Sequence, residues 1–186
     1  MNKYEILSIK PQEKNASKVL IIYTGGTLGM VYDNQTGSLI PFRFEQITEN
    51  IPELKRLNLE LCILALPQPI DSSNVSPAIW KELVEIIEAN YENFQGFVIL
   101  HGTDTMAYSA SALSFMIQNL KKPIVFTGAQ LPIGIPRTDA RENLITAIQI
   151  AGSTINNKAI VPEVCIYFNG RLLRGNRAKK RESSQF

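Results

Sequence analysis

The sequence predicts an α/β domain: a doubly wound, mostly parallel sheet with helices on both faces. Five short apolar runs recur along the chain, four of the five loops that end them contain glycine, and segments of helical apolar spacing lie between them. Unbroken apolar runs of this length suit strands buried on both faces. Strands alternating with helices imply a parallel sheet wound on both sides. In such sheets ligands bind beyond the carboxyl ends of the strands, where Thr, Ser, Asp and Gly accumulate here.

Residues 19–23 are the first run, which stops at Thr24-Gly25-Gly26-Thr27. Asn34-Gln35-Thr36-Gly37 reads as a turn between two extended pieces. Residues 44–57 carry a weaker helical pattern, interrupted by Pro52. Residues 59–66 are the second run, ending at Pro67. Ser76-Pro77 then opens a helix with a capping hydroxyl and a proline in the first turn; Ile79, Leu83, Ile86 and Ile87 give it one apolar face. Residues 97–100 lead into His101-Gly102-Thr103-Asp104 and a helix carrying Met106, Ala110, Leu113, Ile117 and Leu120. Residues 124–126 end at Thr127-Gly128-Ala129-Gln130. Asp139 with Glu142 three residues on predicts a capping box ahead of Leu144, Ala147, Ile148 and Ala151. The fifth run, residues 164–168, ends at Asn169-Gly170.

At 186 residues and 45% hydrophobic, the chain supports one domain with a proper core. A net charge of +2 gives no reason to expect nucleic acid or an acidic partner. The one basic cluster, Arg171, Arg174, Arg177, Lys179, Lys180 and Arg181, reads as a solvated tail, with fraying expected at Lys180. Cys62 and Cys165 lie in apolar, strand-like stretches and read as buried free thiols. Residues 1–18 lack the apolar core of a signal peptide, and no apolar run approaches the ~20 residues that cross a bilayer. A cytoplasmic location, with no membrane contact, is the expectation.

The loops hold the groups that could do chemistry. Thr24-Gly25-Gly26-Thr27-Leu28-Gly29 permits tight turns and close approach of a ligand. It is not a Walker loop, because Met30-Val31 follows where Lys-Ser/Thr is needed. Its glycine spacing also fails the dinucleotide fingerprint. It is either a plain strand-to-helix turn or a loop that exposes nucleophilic hydroxyls. Thr103-Asp104 sets a hydroxyl beside a carboxylate, or else caps a helix. The lone His101, without a cysteine partner, gives no zinc site, and a histidine at a strand end is often a hydrogen-bonded structural residue. Asp71-Ser72-Ser73-Asn74 is an ordinary turn composition and equally a set of groups able to hold a zwitterion.

Together these motifs are specific. Tyr-Thr-Gly-Gly-Thr-Leu-Gly-Met (23–30) precedes Gly-Phe-Val-Ile-Leu-His-Gly-Thr-Asp-Thr-Met-Ala-Tyr (96–108). In this order and spacing they resemble the bacterial-type L-asparaginases. Ile70-Asp71-Ser72-Ser73, Phe126-Thr127-Gly128-Ala129-Gln130 and Asn169 to Lys180 resemble the type I, cytoplasmic branch. The likeness runs from about residue 18 to residue 186, leaving 1–17 as an N-terminal extension and 18–186 as the family's N-terminal catalytic domain. The family's smaller C-terminal domain is absent from this chain.

The resemblance implies hydrolysis of the asparagine side-chain amide to aspartate and ammonia. Thr27 maps to the nucleophile, in a loop with Gly26. Thr103, Asp104 and Lys180 map to a second catalytic group. Asp71 and Ser72 map to the grip on the substrate's amino and carboxylate groups, and Ala129 to a backbone contact at the carbonyl. A threonine needs a base, and a lysine serves as one only when neutral, which burial favours and a neighbouring carboxylate opposes. No metal and no cofactor is called for. The resemblance also implies a homodimer or homotetramer, with the site completed by a neighbouring C-terminal domain. Relatives carry a tyrosine shortly after the nucleophile loop; the matching stretch, residues 36–41, has none, and Tyr32 falls too early. Lys179 stands where type I relatives with a second, allosteric asparagine site have threonine, so that regulation is not carried over. Alternatives are a glutaminase-asparaginase, a tRNA-dependent amidotransferase subunit, and an inactive amino-acid-binding fragment.

Overall fold

The computed structural model describes residues 4, 6–11, 16–32, 36–41 and 47–181. Eleven strands are seen among them: β1 (Ile6–Ile9), β2 (Ser17–Tyr23), β3 (Met30–Tyr32), β4 (Leu39–Pro41), β5 (Leu59–Ala65), β6 (Gly96–Leu100), β7 (Ile124–Thr127), β8 (Thr154–Ile155), β9 (Lys158–Ala159), β10 (Val164–Phe168) and β11 (Arg171–Arg174). The α-helices are α1 (Ile47–Asn50), α2 (Pro77–Asn90), α3 (Met106–Met116) and α4 (Ala140–Gly152).

Seven strands make one sheet in the order β1-β5-β2-β6-β7-β10-β11. The inner five are parallel, and β1 and β11 close the two edges antiparallel. Because successive strand side chains point to opposite faces, the apolar runs feed two separate cores. Val19, Ile21, Val98, Leu100 and Val125 pack with α4 residues Leu144, Ala147, Ile148 and Ala151. Leu20, Ile22, Phe97, Ile99 and Phe126 pack with Leu83, Ile86 and Ile87 of α2 and Met106, Ala110 and Leu113 of α3. The doubly wound architecture with helices on both faces is therefore the observed one.

Several local details differ from the sequence reading. The edge strands β1 and β11 were not legible as strands. The basic stretch from Arg171 is no solvated tail: β11 pairs with β10, and Arg174 bonds Glu163 at 2.9 Å. The chain then makes a 3-10 turn at Gly175–Arg177, where Gly175 is wedged so closely that an added Cβ would meet Ser114 Oγ at 2.9 Å and Val164 O at 3.0 Å. Helix α3 stops at Met116, and Ile117 turns extended; Ile117 and Leu120 still reach the apolar cluster. Their spacing records burial after the helix has ended.

Ser76 sits at the N-cap of α2 with Pro77 in the first turn, but its side chain makes no capping bond. The capping box at Asp139 does not form either. Thr138 Oγ1 accepts the Ala140 N–H at 3.0 Å, and Asp139 turns back to an earlier loop. Residues 44–46 lie outside the described residues, as do Asn34 and Gln35. The remainder of the broken helix is α1 followed by a 3-10 turn at Pro52–Arg56. The two extended pieces flanking the expected turn pair as the antiparallel strands β3 and β4.

Both cysteines are free and buried. Burial pushes the Cys165 thiol up to about 12 and raises that of Cys62. Neither thiol should react with Ellman's reagent at mildly alkaline pH in the folded chain, and both should react after urea unfolding. Rapid native labelling of Cys165 would contradict the buried β10 described here.

Candidate active site

The sheet reverses its winding between β2 and β6. From β2 the chain goes to β5 on one side; from β6 it goes through α3 to β7 on the other. At such a switch point the two loops leave in opposite directions and open a crevice at the strand ends. The loops at this switch point are residues 24–27, after β2, and 101–105, after β6.

The two loops touch through glycine backbone. A Cβ on Gly26 (φ +89°) would lie 2.6 Å from the Gly102 nitrogen. On the far side of Gly102 a Cβ would lie 2.4 Å from Ser72 Oγ. Three loops are thus stacked at van der Waals distance, and only glycine fits between them. The stack is pinned by Thr24 N–H to Leu100 O (3.0 Å), Ile70 N–H to Thr24 O (2.7 Å) and Thr105 Oγ1 to Ser72 O (2.6 Å). Thr27, half-buried, starts the 3-10 turn Thr27–Gly29 directly after Gly26, and its hydroxyl has no hydrogen-bond partner among the described residues.

Thr103 follows Gly102, and here the chain's later part arrives. Lys180 Nζ donates to Thr103 Oγ1 at 2.8 Å and to Asp104 Oδ1 at 3.0 Å. The lysine side chain is only 11% exposed, against 61% for Asp104, so the expected fraying at Lys180 does not occur. The latch through β11 and Gly175 explains why.

Asp71 and Ser72 lie on the third loop of the stack. Asp71 Oδ1 accepts the Ser73 N–H and hydroxyl, both at 2.9 Å, and caps the turn Ser72–Asn74; those bonds lower its pKa. Its Oδ2 has no partner among the described residues. Ser72 is buried over Gly102. Ala129 is buried in the loop after β7, in the same apolar cluster as Leu28, the neighbour of Thr27. Tyr32 stands half exposed on β3, apart from these contacts. Lys179 is exposed.

The histidine after β6 is the hydrogen-bonded structural residue that a strand-end histidine often is; its partners were not legible in the sequence. His101 is fully buried; its Nδ1 lies 2.7 Å from Gly102 O, and its Nε2 lies 2.9 Å from Ser109 Oγ. Facing a carbonyl, Nδ1 must carry the proton, so Nε2 accepts from Ser109. Trp80 Nε1–H completes the chain by donating to Ser109 Oγ at 3.0 Å. Both ring nitrogens are thus engaged by protein groups, and the imidazole ties the Gly102 loop to Ser109 on α3. The spacing of Trp80, His101 and Ser109 carries no periodic signal that would have revealed this. Among the described residues no cluster of three or more His, Cys, Asp or Glu could hold a metal ion, and no helix is long and apolar enough to cross a membrane.

The family model for Asparaginase, N-terminal, matches residues 18–186. The chain belongs to the asparaginase family. It is 40% identical over 169 residues to L-asparaginase 1 of Escherichia coli K12, which covers 90% of this chain and 48% of that protein. It is 38% identical over 192 residues to the 60 kDa lysophospholipase of Mus musculus, covering 91% of this chain and 33% of that one. Among solved structures, L-asparaginase I of Vibrio cholerae superposes with a TM-score of 0.80 at 41% identity, over 91% of this chain and 50% of that chain. The chain thus spans half, or less, of the length of these relatives. Two such different names at nearly equal identity leave the family's reaction to be argued from the site.

Burial holds His101 below its ordinary value of 6.5, with the Gly102 bond opposing. Unfolded chain takes up a proton near 6.5 that folded chain refuses. This contribution to stability is therefore intact above 6.5 and drains as pH falls below it. Tm measured against pH should fall through this window in the native chain and fall less in His101→Gln; parallel curves would refute the assignment. Separately, Gly26→Ala should cost on the order of 1–3 kcal/mol in urea unfolding, through both the collision and the positive φ.

Proposed function

We propose that this chain is the nucleophile-bearing part of an L-asparaginase, hydrolysing the side-chain amide of asparagine to aspartate and ammonia. The observation that carries the reading is the Lys180–Thr103–Asp104 group, held at a switch point against the loop that bears an unbonded Thr27 hydroxyl.

Thr27 Oγ attacks the amide carbon, and its proton passes through Thr103 toward Lys180. Asp104 anchors the lysine from its exposed side. Backbone N–H groups of the glycine loop meet the developing oxyanion; one such donor is worth roughly 3–4 kcal/mol in a comparable case. The proton then goes to the leaving nitrogen, the C–N bond breaks, and ammonia departs from an acyl ester on Thr27. Water cleaves the ester, freeing aspartate and the hydroxyl. The unpartnered Oδ2 of Asp71 suits the substrate's ammonium, Ser72 its α-carboxylate, and Ala129 contributes backbone at the carbonyl. All the groups in this scheme are protein groups; it calls for no metal or cofactor. The reading places the working enzyme in the cytoplasm, as a homodimer or homotetramer whose further C-terminal domains complete the site.

Thr27→Ala should abolish ammonia release from asparagine while leaving the urea midpoint nearly unchanged. Lys180→Met should lower kcat by about 10²–10⁴-fold, the usual range for a positioned acid-base group. Glutamine should be turned over more slowly, since one methylene discriminates by only ~10–200-fold. Undiminished turnover in Thr27→Ala would end the mechanism, and cleavage of lysophospholipid but not asparagine would end the substrate assignment.

A further inference from the structure

The loop after β7 is held in an unusual way. Asn143, on α4 and fully buried, donates from Nδ2 to Gly128 O at 3.0 Å and to Asp139 Oδ2 at 3.3 Å. Its Oδ1 accepts the Asn169 N–H at 3.1 Å, which ties in the loop after β10. Asp139 in turn accepts the Gln130 N–H at 2.9 Å and the Leu131 N–H at 3.0 Å. Ala129 lies between these grips, with the carbonyl before it and the N–H after it both taken from one side.

Peptide planarity converts this into an orientation. The described peptides are all trans. In a trans peptide the C=O and N–H point in opposite directions. If Gly128 O points at Asn143, the Ala129 N–H points away from it. If the Gln130 N–H points at Asp139, the Ala129 carbonyl also points away. Because Asn143 and Asp139 touch each other, both free groups of Ala129 are directed to the side opposite the clasp. Neither has a hydrogen-bond partner among the described residues, although Ala129 is buried. Buried backbone groups are almost always paired, so a donor and an acceptor left open side by side mark a place for a ligand. Gly128 lies against the residue that opens the Thr103 loop, since an added Cβ would be 2.4 Å from His101 O.

We infer that Asp139 and Asn143 are positioning residues: they hold Ala129 so that its N–H and carbonyl form a paired donor and acceptor for a carboxamide. The inference rests on the proposed amide hydrolysis and gives it a source of selectivity. A carboxamide answers the pair with a carbonyl and an NH2. A carboxylate answers only the N–H, and its second oxygen opposes the Ala129 carbonyl. The clasp therefore favours substrate amide over product acid and helps aspartate leave.

The test compares KM for asparagine with the inhibition constant of aspartate in the native protein, Asp139→Asn and Asn143→Asp. Each substitution sets like groups against each other within the clasp. KM for asparagine should rise about tenfold or more while aspartate inhibition changes little, so that the preference for amide over acid narrows. Amide exchange gives a second reading: the Gln130 and Leu131 N–H groups should lose protection in Asp139→Asn. In Thr27→Ala, which leaves asparagine intact, the Ala129 N–H should gain protection when asparagine is added. An unchanged asparagine-to-aspartate ratio in a folded, active variant would overturn the inference, even if Tm fell. A native protein that neither binds nor hydrolyses asparagine would instead sink the functional reading, and the inference with it. If Asn143→Asp does not fold, Asp139→Asn decides.

Discussion

The site depends on the parallel pairing of β2 with β6. Their register sets Tyr23 beside Leu100, so the two loops emerge at the same height. At that height the backbone of Gly26 meets that of Gly102; a side chain on Gly26 would part them, and one on Gly102 would collide with Ser72 instead. Both threonines of the proposed mechanism follow these glycines by one residue. The distance between them is therefore governed by backbone hydrogen bonding and a glycine contact. Side-chain packing plays little part, which suits a constellation that must be held within a fraction of an ångström.

Much of this was legible in the residues because it rests on strong local signals. The inner strands carry apolar runs where both their faces are covered, and the helices betray their buried sides by spacing. The edge strands had no such mark. The residues Arg171-Leu172-Leu173-Arg174 are all exposed and charged at both ends, the composition by which edges avoid further pairing. Such a strand reads as a loop until its partner is seen. Asp139 was misread for a related reason. Its position before a helix and three residues ahead of Glu142 fits a capping box, but an acceptor-only carboxylate can serve any nearby N–H. Here it serves the N–H groups of Gln130 and Leu131.

The candidate site was visible as a set of motifs, and the family resemblance, rather than any spacing, grouped Lys180 with Thr103 and Asp104, the residues it bonds. Thr27, Thr103, Asp104 and Lys180 were named because the motifs around them resemble those of the family. Nothing in the spacing says that Lys180 returns to Thr103 or that His101 turns inward to Ser109. Those facts depend on how distant segments cross, and local periodicity carries no information about crossings. Ala129 shows a related limit: alanine offers no chemistry of its own, so only the resemblance marked its backbone, and the residues that grip the peptides on either side of it were not legible.

The bond from Lys180 to Thr103 joins positions 77 residues apart. It can form only after β10, β11 and the Gly175 turn have docked. A chain emerging from the ribosome would therefore lay down its sheet, its crevice and its hydroxyls well before the amine reached them. On the proposed reading, newborn enzyme is chemically silent at least until nearly the whole of this domain has been translated.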